Sequence, residues 1–136
     1  MPVSRLYAMS SPAPCLHREQ FIVRSYDLAA DGKLGLGALC AFLQEAAGVH
    51  AEKLGVSAAR LREDGFGWVL LRMRMRLEQQ PRLHAAVAVE TWPSHNQRVF
   101  SHRDSIVYGS GSEPIAAVAT SWAVVDLSTR RAVRLP

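Results

Sequence analysis

The sequence is poor in most of the features that announce a function. It has only two cysteines, Cys15 and Cys40, in 136 residues, and no CxxC pair. That excludes a disulfide framework and the usual zinc and thiol-redox motifs, and makes a reducing, cytoplasmic setting the simpler expectation. No Lys/Arg run and no aromatic-studded basic motif accompanies the formal charge of +4, so nucleic-acid binding is not expected. The leader Met1–His17 contains three prolines and no continuous apolar stretch. This excludes a signal-peptide pattern and reads as a loose arm over residues 1–18. His84, His95 and His102 show no metal spacing with one another or with a cysteine. No G-x-S-x-G elbow occurs, and Ser94-His95 or Ser121 with Asp104 or Asp126 makes no serine triad. No metal or cofactor is therefore expected.

What is present is a patterned chain of one-domain size, residues 19–136. Phe21–Asp27 alternates apolar and polar residues and predicts a strand. Ala30-Asp31-Gly32 predicts a turn. From Leu34 to Ala51 run eighteen residues with a single formal charge, Glu45. Three glycines, Gln44, Glu45 and His50 interrupt this stretch and argue against a membrane span. Apolar positions at helical spacing predict a helix buried on most of its circumference, with small residues that let other elements approach closely. A short amphipathic segment, Ser57–Glu63, follows. Four strands are then predicted at Gly67–Leu77, Ala85–Trp92 (closed by Pro93), Arg98–Tyr108 and Ile115–Asp126, the last two joined by a turn at Gly109–Ser112. One helix wrapped by an antiparallel sheet is an α+β arrangement. A sheet covered on one face leaves Arg72, Arg74 and Arg76 on the other.

Several separated segments carry a family resemblance. They are the helix motif Gln44-Glu45-Ala46-Ala47 with His50, the strand Trp68–Met73, Glu90-Thr91-Trp92, Arg103-Asp104, and Ser121-Trp122 followed by Thr129-Arg130-Arg131. Over residues 21–136 the chain resembles the N-terminal hotdog half of acyl-ACP thioesterases. The resemblance implies a hotdog fold and hydrolysis of fatty acyl thioesters, ACP-linked in preference to CoA-linked. In that family the catalytic motif, of HVNN type, lies in a second hotdog, and no such sequence occurs here. The resembling half chiefly shapes the acyl pocket, so a non-catalytic acyl- or carrier-binding module is the alternative. A homodimer or homotetramer is implied, because hotdog sites commonly form at dimer interfaces. By comparison with the catalytic half, Asp27, which precedes Glu45 by 18 residues, occupies the place of its strand-end acid. Asp31 stands where that half keeps an Asn, and Lys33 where it keeps a His.

Hydrolysis without a nucleophilic triad needs a carboxylate to activate water and an N–H donor for the oxyanion. Glu45 is the candidate base, with Asp27 and Asp31 in support, against the plainer reading of Glu45 as a good helix former on a wet stripe. Gly35 and Gly37, at the helix start, are candidates for backbone N–H donation, against a role in tight packing. Met73, Met75 and Trp122 are candidates for the acyl site as well as for the core. Arg72 and Arg74, with Arg76, Arg98 and Arg103, are candidates for a pantetheine phosphate or an acidic carrier protein, against a solvated face. His50 lies about 140° around the helix from Glu45 and reads as a core or interface histidine.

Overall fold

A computed structural model describes residues 15–134. Its elements in chain order are strand β1 (His17–Ile22), helix α1 (Leu36–Lys53), helix α2 (Ala58–Glu63), and strands β2 (Phe66–Leu77), β3 (Ala86–Gln97), β4 (Phe100–Tyr108), β5 (Pro114–Asp126) and β6 (Ala132–Val133). The strands form one antiparallel sheet in the order β1-β3-β4-β5-β2, with β6 added beside β5. The long helix lies against β1 and β3. This is the α+β hotdog architecture. No helix among the described residues is long and apolar enough to cross a membrane.

The helix is anchored by Leu39, Phe42, Leu43, Ala46 and His50, all buried, which recur at the three- and four-residue steps of one helical face. Beneath them lie Val87 and Val89 of β3, Val107 of β4, and Ile115, Ala116 and Val118 of β5. Phe42 stacks on Phe21 with ring centroids 4.5 Å apart. The helix is not wrapped all round. Leu36, Gly37, Ala41, Gln44, Glu45 and Gly48 are exposed, so the expectation of burial on most of the circumference gives way to one buried stripe and one bare one. Alanine and glycine made the bare stripe look apolar in sequence, although such small residues bury little surface and need no cover.

Two strands differ from expectation by more than two residues at an end. The first strand is His17–Ile22, followed by a 3-10 turn at Ser25–Asp27. Its inward positions begin with His17 and include Glu19, so the alternation starts in polar residues that do not signal a strand. The strand thus begins inside the segment read as an arm, whose residues 1–14 lie outside the described ones. β3 does not stop at Pro93. It continues to Gln97 through a register shift between Pro93 and His95, the kind of irregularity at which a residue without an N–H is tolerated. The expected hairpin between β4 and β5 is closed by the Gly109 N–H donating to the Glu113 carbonyl at 2.9 Å.

Strand register decides which arginines share a face. Arg103 pairs with Thr120, and Thr120 pairs with Met73, so Arg103 lies on the helix side with the methionine row. Arg72, Arg74 and Arg76 project from the opposite side and are exposed. The basic stripe expected to unite them is therefore split by the sheet.

Candidate functional site

Between the second half of α1, the short helix α2 and the sheet lies a cavity of about 850 Å³. This is within the range of ligand pockets, about 300–1,000 Å³. Gln44, Ala47, Gly48 and Ala51 form its helical wall, and Leu54, Val56 and Leu61 its end. Phe66, Trp68, Trp122 and Val124 line it from β2 and β5, with Ser101 and Arg103 from β4. The space exists because alanine and glycine stand on the helix where a core would carry leucine. It is held open by Trp68, whose indole N–H donates to the Val56 carbonyl at 2.8 Å, and by Trp122, whose indole N–H donates to Thr120 Oγ1 at 3.0 Å. The two indoles meet edge to face with centroids 6.3 Å apart.

A polar cluster stands behind this apolar space. Arg103 Nη1 donates to His50 Nδ1 at 2.9 Å and to Thr91 Oγ1 at 3.2 Å. Ser105 Oγ donates to Thr91 Oγ1 at 2.9 Å, and Thr91 in turn donates to the Asp104 carbonyl. Burial, followed by the positive charge of Arg103, lowers the His50 pKa to about 4. Burial also pulls the Arg103 pKa down from its ordinary value. His17 stacks on His50 and approaches both Glu19 Oε2, at 2.7 Å, and Lys53 Nζ, at 3.2 Å.

The sequence-derived candidates scatter over this frame. Glu45 is exposed on the bare stripe of α1 and is not among the cavity-lining side chains; its neighbour Gln44 is. Asp27 ends the 3-10 turn, where its carboxylate accepts from the Arg24 N–H at 2.9 Å and its carbonyl from the Gly35 N–H at 2.9 Å. It therefore stands beside the start of α1, in a turn and not at a strand end. About 15 Å of helix separates Gly35 from Glu45 at 1.5 Å per residue, so Asp27, beside the helix start, and Glu45 sit at different levels along α1. Asp31 is exposed and accepts from the Lys33 N–H at 3.1 Å, a local turn bond.

Gly35 is the N-cap of α1 and its N–H is already committed to Asp27, while a Cβ there would meet that carbonyl at 3.4 Å. The packing role fits it better than oxyanion donation. Gly37 is exposed in the first turn, which has no side-chain cap. Met73 and Met75 pack against the core and do not line the cavity, and the Cys40 thiol approaches Met73 Sδ at 3.8 Å. Trp122 does line it. Arg72 and Arg74 are on the far face, away from the cavity.

On that far face His102 Nδ1 meets Ser121 Oγ at 3.0 Å and packs against His95. Asp104 is raised by burial, against the opposing pull of His102 and a Ser94 hydrogen bond, but no described hydrogen bond joins it to the His102 ring. These groups stand across the sheet from the cavity. Among the described residues no cluster of three or more His, Cys, Asp or Glu side chains has metal-binding geometry.

Sequence reasoning missed Gln44, Ala47, Ala51 and Trp68 as a wall, and placed Arg103 with the wrong arginines. The helical wall could be read from the small residues at positions 47, 48 and 51, which share one face of a helix with Gln44 at three- and four-residue steps. Trp68 carried no such signal.

Residues 14–136 match the model of the acyl-ACP thioesterase N-terminal domain. An oleoyl-acyl carrier protein thioesterase of Coriandrum sativum is 29% identical over 127 residues, covering 85% of this chain and 33% of the relative. An acyl-[acyl-carrier-protein] hydrolase of Cuphea viscosissima is 31% identical over 131 residues, covering 88% and 30%. This chain thus spans about a third of the length of those relatives. The crystal structure of an acyl-ACP thioesterase from Bacteroides thetaiotaomicron superposes with a TM-score of 0.84 at 27% identity, over 99% of this chain and 52% of that one. A DHNA-CoA thioesterase from Staphylococcus aureus shares the fold, with a TM-score of 0.82 at 18% identity over 88% of this chain and 80% of that one. The match across nearly the whole chain means that this protein belongs to the acyl-ACP thioesterase family, corresponding to its N-terminal domain.

Proposed function

We propose that this chain serves the hydrolysis of fatty acyl thioesters, acyl-ACP in preference to acyl-CoA, and that the cavity beside the second half of α1 holds the acyl chain. The observation that carries the reading is that cavity: about 850 Å³, mainly apolar, and walled by alanines and two tryptophans. Its neighbours in the family model and among solved thioesterases support the same reading.

Chemistry on this scaffold needs a second hotdog. Glu45 would accept a proton from water as the resulting hydroxide adds to the thioester carbonyl. The oxyanion would be held by backbone N–H groups of a helix start, and its collapse would expel the thiolate, which recovers the proton from Glu45. On one helix Gly37 and Glu45 are about 12 Å apart, too far to serve one carbonyl. Donors and the supporting Asp27 therefore come from a partner hotdog, a second copy in the homodimer reading. β2 ends the sheet with its outer edge unpaired among the described strands, and it exposes Val69, Leu70 and Leu71. An apolar open edge of that kind is suited to pairing with another chain. Arg72 and Arg74 would then face the acidic carrier, in a cytoplasmic setting consistent with two free thiols.

A second reading, a non-catalytic acyl-binding module, is favoured by the exposure of Glu45 outside the cavity. Thiol release measured on the purified chain with acyl-ACP and acyl-CoA substrates separates the two, beside Glu45→Ala and Asp27→Ala. Loss of about 10²–10⁴-fold in Glu45→Ala supports the catalytic reading. Binding of acyl chains without any thiol release supports the module. Release untouched by Glu45→Ala discards the site. Sedimentation as a monomer at micromolar concentration would remove the homodimer.

A further inference from the structure

The cavity is closed at one end by the shorter of the two helices. Leu54 and Val56, at the exit from α1, and Ala58 and Leu61 of α2 stand across it. None of the residues of α2 is buried. The helix is set between Gly55 and Gly65, whose φ angles of 78° and 85° lie in the left-handed region. A Cβ at either glycine would meet nothing beyond its chain neighbours within 4 Å, so both positions answer to the turn of the backbone and not to crowding. The segment therefore takes its place from a few bonds at its two ends. At one end the Val56 carbonyl accepts from the Trp68 indole at 2.8 Å, and the Val56 N–H donates to the Ala51 carbonyl at 2.9 Å. At the other the Leu127 N–H donates to the Gly65 carbonyl at 2.9 Å. The long walls are different in kind. α1 is fixed by its buried stripe, and Trp68, Trp122 and Val124 belong to the paired strands β2 and β5.

We propose that Leu61 is the specificity-determining residue that sets the longest acyl chain the cavity accepts, and that Trp68 positions it by pinning the entry to α2. The inference rests on the reading of this cavity as the acyl site. The helical wall runs from Gln44 to Leu54, about 15 Å at 1.5 Å per residue. An extended chain gains about 1.2 Å per bond, so a saturated acyl group with its carbonyl at the level of Gln44 reaches α2 after about twelve carbons. Leu61 is the one large apolar side chain that α2 places there. It lies outside the segments that carry the family resemblance, whereas Trp68 lies within one. A length limit at Leu61 therefore leaves the shared strand and the walls of the cavity as they are.

Calorimetric titration of the full chain with S-alkyl-CoA thioethers, from octyl to octadecyl, reads this limit without hydrolysis, because a thioether has no carbonyl to attack. In wild type, affinity is expected to rise about fourfold per added methylene and to stop rising near dodecyl. Leu61→Ala should move that break about two carbons longer, since the surroundings relax only partly into the room left by a deleted side chain. Leu61→Trp should move it about as far in the other direction. Trp68→Phe keeps an aromatic ring without the N–H, and should let chains beyond the break gain affinity several-fold. Octyl does not reach α2, so its affinity should match wild type in all three variants, which also shows that they are folded. A break that stays put in both Leu61 variants overturns the proposal and leaves the acyl site standing. An unchanged profile in Trp68→Phe, or an equal loss at every length, overturns the positioning role of Trp68. Affinity independent of chain length in wild type overturns the proposal and the acyl site together.

Discussion

The two halves of α1 solve different problems with one helix. In the first half Leu39, Phe42 and Leu43 fill the space above the sheet, and Met73 and Met75 close it from β2. In the second half alanine and glycine replace the large residues, and a cavity opens between the helix and Trp68, Trp122 and Val124. The first half stores stability. The second gives up packing for a binding space, and the hydrogen bonds of half-buried Arg103 to buried His50 and Thr91 hold it to the sheet. A cavity beside a helix is tolerable only when the same helix is nailed down elsewhere, because each unfilled site costs both hydrophobic transfer and lost contacts.

The contrast yields ranked expectations. Leu39, 2% exposed, is in the filled half, so Leu39→Ala should destabilise the chain by about 2–5 kcal/mol in denaturant unfolding. Acyl binding by the molecules that remain folded should change little. An equal loss from Ala47→Gly would erase the distinction between the halves.

The His50 cluster should make the second half sensitive to acid. The folded pKa, about 4, lies below the ordinary histidine value of 6.5, so the unfolded chain takes up the proton first as pH falls. The stability contributed by neutral His50 is complete above pH 6.5 and lost on descending towards pH 4. The loss is on the order of 2–3 kcal/mol. Unfolding curves at pH 7 and pH 4.5 check this, and His50→Gln should remove that part of the slope. A slope identical in the two proteins would count against the cluster.

Filling the cavity should act on ligands more than on the fold. Ala51→Leu, on the cavity wall, displaces about two methylenes at ~0.8 kcal/mol each, weakening the longest accepted chain roughly tenfold. Shorter chains should bind as before, and a uniform loss across chain lengths would place the acyl group elsewhere. The smallest effect is expected on the far face, where Arg74→Ala should change stability by no more than about 0.5 kcal/mol. Any larger change would mean that this face packs against something.

Much of this was readable in advance where neighbours in sequence are neighbours in space. The 3.6-residue pattern of α1 and the alternation of Met73 and Met75 with Arg72, Arg74 and Arg76 are local, and they gave the helix, the strand and its two faces. Pro93 misled because a proline ends a strand only where its missing N–H is needed, and at the shift before His95 it is not. The candidate site was less accessible. Glu45 drew notice as a lone charge in an apolar run, yet that run owes its hydrophobicity partly to alanines on a bare face.

Local periodicity and the ordered family motifs were enough to specify a hotdog of the acyl-ACP thioesterase type, because both are written within single elements. Only the assembled sheet decided that Arg103 leaves the basic face and joins His50 at the cavity wall. Side chains alternate strictly across a strand, so one step of register between β4, β5 and β2 moves a residue from solvent to the core. That register is a property of the pairing, and no single strand contains it.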